Sequence, residues 1–226
     1  MDIYMAINTL ELGDLAACCY IITPAAMPAD GQPTHAVVVD PGAEAARVTS
    51  ALKRINAKLE AILLTHSHVD HIGGVDDLLA DWPGSVLMAS AETSRRASDS
   101  ELNLSAYMGP GFAIAPAGRE LEDGETFAAA GMQWKAVIVP GHDPGEMVFI
   151  LGDAEAVFAG DTVFQGSIGR SDFPGGDGRA LVESILDLFH NSLKPQTVIY
   201  PGHGSATTVA EELAHNPFLS GRMGGW

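Results

Sequence analysis

Four apolar runs of strand length in this chain end on the same kind of residue, and that recurrence limits what it can fold into. Ala61-Ile62-Leu63-Leu64 runs into Thr65-His66-Ser67-His68-Val69-Asp70-His71. The run from Lys135 to Pro140 leads to Gly141-His142, Ala156 to Ala159 to Gly160-Asp161, and Thr197 to Tyr200 to Pro201-Gly202-His203-Gly204. Glycine beside the last three polar residues lets the backbone turn sharply and present a side chain to a shared cleft.

The rest of the map is read for period. Ile3–Leu10 and Ala16–Thr23 read as strands, and His35–Val39 is a short apolar run that stops at the turn signal Asp40-Pro41-Gly42. Helices are expected over about Glu44–Asn56 and Ile72–Ala80, the second stopping before Trp82-Pro83-Gly84. Ala91–Gly118, with its Ser, Gly and Pro clusters, reads as loops and short helical turns. Then Thr126–Ala130, Met132–Val139, Met147–Leu151 and Ala156–Ala159 read as a strand meander, followed by a helix over Gly178–His190 and a last one near Val209–Ala214. With strands and helices in both halves and no low-complexity linker, residues 1–226 are expected to form one domain. It would be an α/β fold of two β-sheets packed face to face with helices outside.

An isolated histidine is more often structural than a ligand, but grouping reverses that reading. Histidines two apart do not share a helical face, so His66 and His68 converge on one ion from a loop, while Asp70 and His71 can be directed to a second. With His142, Asp161 and His203 this makes seven donor side chains. Five of the 8 histidines are thereby accounted for; His35, His190 and His215 lack such settings and read as structural or solvent-facing.

Composition excludes several function classes. Only 12 basic residues face 29 acidic ones, a net charge of −17, which argues against a nucleic-acid partner that would need cations for its phosphates. The longest apolar stretch, Leu15–Ile22, falls short of the roughly 18 residues that span a bilayer. Met1-Asp2-Ile3-Tyr4 carries an acid where a secretory signal carries Lys or Arg, so a cytoplasmic location is expected. Cys18 and Cys19 are adjacent, too strained to bridge, and read as small buried hydrophobes in a strand.

The ordered motifs Thr65 to His71, Gly141-His142, Gly160-Asp161 and Pro201-Gly202-His203 resemble those of the metallo-β-lactamase superfamily. The resemblance implies its four-layer αβ/βα sandwich with two mixed sheets. It also implies two divalent metal ions, zinc by default with iron or manganese accepting the same donors. His66, His68 and His142 would bind the first, Asp70, His71 and His203 the second, and Asp161 would bridge both. Asp40 matches a family turn that supports the site from behind the ligands. Antibiotic-hydrolysing members generally lack the bridging carboxylate, so Asp161 points away from β-lactamase activity.

Within the superfamily, the stretch Gly160 to Asp177 and the ending His215-Asn216-Pro217-Phe218-Leu219 resemble short bacterial glyoxalase II-like hydrolases. That implies hydrolysis of a small acyl thioester, hydroxyacylglutathione above all, by water activated between the ions, with Asp70 and Asp161 as the catalytic carboxylates. Arg170 stands where longer glyoxalase II enzymes have a cationic residue that contacts glutathione; it binds a substrate carboxylate or pairs with Asp172. Only 23 residues follow His203, where those enzymes append a helical region, so a more open or different pocket is expected. Asp143 and Glu146 add acids where relatives usually carry Ser, Thr or His; they would disfavour an anionic substrate, or else cap or face solvent. The Gly-Arg-Ser-Asp-Phe stretch also resembles persulfide dioxygenases, which implies the rival of a single Fe(II) on His66, His142 and Asp161. Lactone hydrolysis uses the same centre and is the other alternative.

Overall fold

The side-chain period separates the layers. In the computed structural model, which describes residues 5–26, 28 and 31–220, the strand β2 (Ala17–Pro24) turns Cys18, Tyr20 and Ile22 to one face and Cys19 and Ile21 to the other. Both faces are buried, which explains an unbroken apolar run where a half-exposed strand would alternate. Cys18 and Cys19 are both free thiols, and their opposite orientations rule out a bridge between them.

The first sheet follows chain order: β1 (Met5–Leu12), β2, β3 (Thr34–Val39), β4 (Ala57–Leu63), β5 (Val86–Ser90) and β6 (Arg119–Leu121). Its first two pairings are antiparallel and the next three parallel. The second sheet collects β7 (Thr126–Ala129), β8 (Met132–Ile138), β9 (Met147–Leu151) and β10 (Ala156–Gly160), joined later by β13 (Val198–Pro201) and β14 (Thr207–Thr208). Only its β10–β13 pairing is parallel. Between β10 and β13 lies a small hairpin, β11 (Val163–Phe164) and β12 (Ser167–Ile168).

The two mixed sheets pack face to face through Tyr20, Val37, Val39 and Leu63 on one side and Trp134, Phe149, Leu151 and Phe158 on the other. Helices α1 (Ala45–Arg54) and α3 (Val75–Asp81) cover the outer face of the first sheet with Val48, Leu52, Val75 and Leu78. Helix α6 (Gly178–Asn191) covers the second with Leu181, Ile185, Leu188 and Phe189, and the Asp177 carboxylate caps it by accepting from the N–H groups of Arg179 and Ala180. The result is the αβ/βα sandwich that the sequence pattern implied.

Three local differences have physical causes. The expected helix over Ile72–Ala80 is two pieces, α2 (Val69–Ile72) and α3, broken at Gly73-Gly74 because the backbone of Asp40-Pro41-Gly42 lies against it; a Cβ on Gly42 would overlap the Asp70 carbonyl. The stretch read as loops and short helical turns holds α4 (Ala91–Ala97) and α5 (Ser105–Met108), as expected, but is flanked by β5 and β6, which the sequence reading did not place. These two short strands hold by parallel pairing with β4 and each other rather than by any period of their own. The first strand runs two residues further than expected, to Leu12, while Ile3 and Tyr4 of the expected strand lie outside the described residues. Among the described residues no helix is long and apolar enough to cross a membrane.

Candidate metal centre

Strands β8, β10 and β13 run in one direction, so their C-terminal ends share one edge of the second sheet. His142, Asp161 and His203 follow those ends, and the Thr65–His71 loop after β4 meets them from the first sheet. Backbone bonds across the two sheets fix the meeting: Met147 N–H donates to Thr65 O at 2.8 Å and Cys18 N–H to Gly202 O at 2.7 Å. The Tyr20 hydroxyl donates to Pro201 O at 2.6 Å. Gly202 is required here, since a Cβ on it would overlap the Asp161 carboxylate and crowd the His71 ring. Tyr20 and Cys18 were not singled out from the sequence, where they read only as core.

All seven expected donors come together. His66, His68 and His142 form one group whose ring nitrogens lie within 4.8 Å of one another, and Asp70, His71 and His203 form a second. His68 Nδ1 and His142 Nε2 face each other at 2.9 Å. In the second group His203 Nε2 lies 3.2 Å from Asp70 Oδ2. The Asp161 carboxylate sits between them: Oδ1 is 3.5 Å from His71 Nε2, and Oδ2 is 3.7 Å from both His142 Nε2 and His203 Nε2.

The outward nitrogens are already engaged, which fixes which nitrogen faces the pocket. The Asp40 carboxylate accepts from Thr65 N–H at 2.8 Å and Thr65 Oγ1 at 2.6 Å, and pairs with His71 Nδ1 at 3.0 Å. The Thr65 hydroxyl proton is thus committed to Asp40, so its oxygen accepts from His66 Nδ1 at 2.9 Å. His142 Nδ1 donates to Arg170 O at 2.6 Å. His66, His71 and His142 therefore turn Nε2 inward, while His68 turns Nδ1 toward His142 and its Nε2 toward Asp143. Although Asp40, His66 and His71 also cluster, Asp40 is saturated by these bonds and acts as their support.

The fit to cations shows in the groups without partners. His66 Nε2, His71 Nε2 and Asp161 Oδ1 are buried with no hydrogen bond, a costly arrangement that a divalent cation would relieve. Burial and the neighbouring rings push His66 far below the usual histidine range, and burial with His142 pushes His68 down to about 2. Both are neutral, as ligands must be. His71 differs: burial opposes its charge, but Asp161, Asp40 and Asp70 outweigh it and raise it to about 10. Burial likewise works against a charged Asp70, yet the hydrogen bond from His203 and the positive field of His71 hold its carboxyl well below the usual range. Cation-demanding carboxylates surround rings that, without a cation, must hold a proton instead.

Of the alternatives for Asp143 and Glu146, capping is the one present: neither faces solvent, and Asp143 Oδ1 accepts from Gly145 N–H at 2.8 Å. Asp143 is fully buried, pairs with buried Arg96 at 2.9 Å, accepts from Ser67 Oγ at 2.8 Å and lies 3.7 Å from His68 Nε2. Glu146 accepts from Asp161 N–H at 2.8 Å through Oε1. Burial, with Asp161 and Asp143 nearby, raises it well above the carboxylate range, so it is a neutral acid. Of the two alternatives for Arg170, the ion pair is present: its Nε and Nη2 bond both oxygens of Asp172 at 2.7 and 2.8 Å, and its guanidinium lies 3.9 Å from the Phe173 ring centre. It lines the rim of a cavity of about 880 Å³ whose floor includes Asp70, His142, Asp161 and His203. His35 pairs with Glu60 at the surface and His215 lies near Glu211, both away from the centre.

A four-layer sandwich with two donor triads at one edge defines a class of metal-binding proteins. The model of the metallo-beta-lactamase superfamily matches residues 19–203, and the chain belongs to that superfamily. Hydroxyacylglutathione hydrolase GloC of Haemophilus influenzae is 34% identical over 190 residues, which are 83% of this chain and 89% of that protein. Among solved structures, BLEG-1 B3 metallo-beta-lactamase superposes with a TM-score of 0.85 at 32% identity, covering 96% of this chain and 100% of that one. TTHA1623 in a di-iron-bound form superposes at 0.78, also 32% identical, covering 94% and 100%.

Proposed function

We propose that this metallo-β-lactamase-superfamily protein is a binuclear metal-dependent hydrolase of small acyl thioesters, with hydroxyacylglutathione as the reference substrate. One observation carries the reading: two separate donor triads with the Asp161 carboxylate between them, where His66 Nε2, His71 Nε2 and Asp161 Oδ1 are buried without a hydrogen-bond partner. His66, His68 and His142 would hold one ion, Asp70, His71 and His203 the other, and Asp161 both. Zinc suits five imidazoles and two carboxylates, and iron or manganese accept the same set. Divalent cations there would polarise an acyl carbonyl and lower the pKa of water toward neutrality.

The chain's own groups would do the rest. Asp70, partly exposed on the cavity floor, would orient water toward the acyl carbon. Asp40 and Thr65 fix the tautomers of His71 and His66, and Glu146 holds the Asp161 backbone. A thiolate leaves readily, so no separate proton donor is required at the sulfur. The likeness to GloC and the Gly160–Asp177 stretch support the glutathione thioester; the net charge of −17 speaks against a nucleic-acid substrate.

The test is turnover of metal-quantified protein against S-lactoylglutathione, neutral acyl thioesters, homoserine lactones, a β-lactam and glutathione persulfide. Thioester cleavage abolished by chelation and restored by metal is expected. Oxygen uptake on the persulfide with a single iron bound, or cleavage of only the lactone or the β-lactam, would replace this reading with the corresponding one.

A further inference from the structure

We propose that this site selects thioesters whose acyl group is an uncharged apolar chain, an inference that rests on the thioesterase reading and names its substrate class. The evidence lies in the lip of the cavity rather than its floor. Six large hydrophobic side chains are exposed among the described residues; three of them, Leu15, Tyr107 and Met108, line this one mouth, and a fourth, Phe112, lines an adjoining hollow that shares Leu15 and Met108 with it. Tyr107 is 72% and Met108 60% exposed. Apolar side chains concentrated at one opening mark a surface that something apolar covers.

The lip is built, not slack. Asn103, fully buried, donates from Nδ2 to Ala97 O at 3.1 Å and Phe112 O at 2.8 Å, and its Oδ1 accepts from Ser105 N–H at 2.9 Å. Its own carbonyl accepts from Val69 N–H at 2.9 Å, tying the lip to the residue between His68 and Asp70. Leu104 adopts φ 69°, a left-handed conformation uncommon for a branched residue, and so turns α5 over the mouth. The β11–β12 hairpin adds Phe164 and Ile168, and Phe173 stands beside His68. An acyl chain leaving the cluster thus meets apolar surface from either loop.

Charge points the same way. The cavity's one non-histidine cation, Arg170, has its fork occupied by both oxygens of Asp172 and its face on Phe173, so the pair presents no net charge. Apart from the Tyr107 and Ser167 hydroxyls and the Arg170 N–H groups not bonded to Asp172, the lip is apolar.

The experiment compares acetyl, lactoyl, butanoyl and hexanoyl thioesters of N-acetylcysteamine, so that only the acyl group changes. For the metal-loaded enzyme kcat/KM should rise about threefold per methylene, to about 100-fold between acetyl and hexanoyl, with lactoyl near acetyl. Met108→Lys, at an exposed position that tolerates the change, should flatten the slope. Binding of the corresponding S-alkyl thioethers to metal-free protein, by calorimetry, should show the same slope without any chemistry. Hydrolysis of all four at similar rates, or lactoyl ahead of hexanoyl, overturns the proposal. So does a dimer in sedimentation that Met108→Lys abolishes while the rates stay level, which would assign the patch to a second copy. If no thioester is cleaved, the functional reading falls, and the thioether slope alone decides the apolar pocket.

Discussion

The two halves of the sandwich supply the metal centre in different ways. The first sheet delivers His66, His68, Asp70 and His71 in one six-residue stretch after β4, a loop running into α2, whereas the second delivers His142, Asp161 and His203 singly, from the ends of three strands. The first set is held together by chain connectivity and needs support only for ring orientation, from Asp40 and Thr65. The second set depends on sheet register and on buried polar partners: Glu146 behind Asp161, the Arg170 carbonyl behind His142, Tyr20 and Cys18 behind the His203 loop. A local chelate needs few contacts to survive; a dispersed one is only as good as the packing beneath it.

The contrast can be broken at its strongest point with Asp161→Ala. Losing the carboxylate between the triads should cost metal and turnover together, about a thousandfold or more in kcat/KM. Full occupancy of both sites with an unchanged rate would contradict the shared role. Asp143→Asn comes next. It strands the Arg96 guanidinium in the interior and should lower stability by about 3 kcal/mol in urea titration, whereas Arg96→Met with Asp143→Asn should recover much of that loss.

A milder effect is expected from Asp40→Asn, which loosens His71 without removing a donor: metal affinity should fall about 10- to 100-fold with the fold intact. Protonation sharpens the same point. With its pKa raised to about 10, His71 is protonated at neutral pH in the metal-free protein and must lose that proton on binding. Metal affinity should therefore increase with pH up to about 10, and calorimetry in buffers of different ionisation enthalpy should register about one proton released at His71.

The smallest effect falls on Glu146. Its folded pKa is raised, so above the unfolded value near 4.5 the unfolded chain ionises while the folded one does not, and stability drains away as pH rises. Glu146→Gln removes that drain. Metal-free protein carrying it should be as stable as wild type at pH 4 and more stable than wild type at pH 8, as read by urea titration.

The same division explains what could be read in the sequence. The Thr65–His71 cluster is legible because its spacing is local, and the strand-end glycines exposed the other three donors. The strand β2 and the meander from β7 to β10 were likewise visible as apolar runs between turn residues. Strands β5 and β6 were not, since they exist through parallel neighbours rather than any period of their own. The buried Arg96–Asp143 pair spans 47 residues, and nothing local marks Arg96 for burial until α4 is seen docked beside the His142 loop. The lip was equally hidden: its shape rests on side-chain-to-backbone bonds of Asn103 and Ser105, for which the local pattern Asn103-Leu104-Ser105 was only a faint turn signal.

The central claim is that the two halves meet to hold a pair of cations. Metal stoichiometry measured by mass spectrometry on chelator-stripped, reconstituted and desalted protein tests it most directly. Two divalent ions per chain in the wild type, falling when either His66 or His203 is replaced by alanine, are predicted. One ion or none at saturation, with occupancy indifferent to both substitutions, would contradict it.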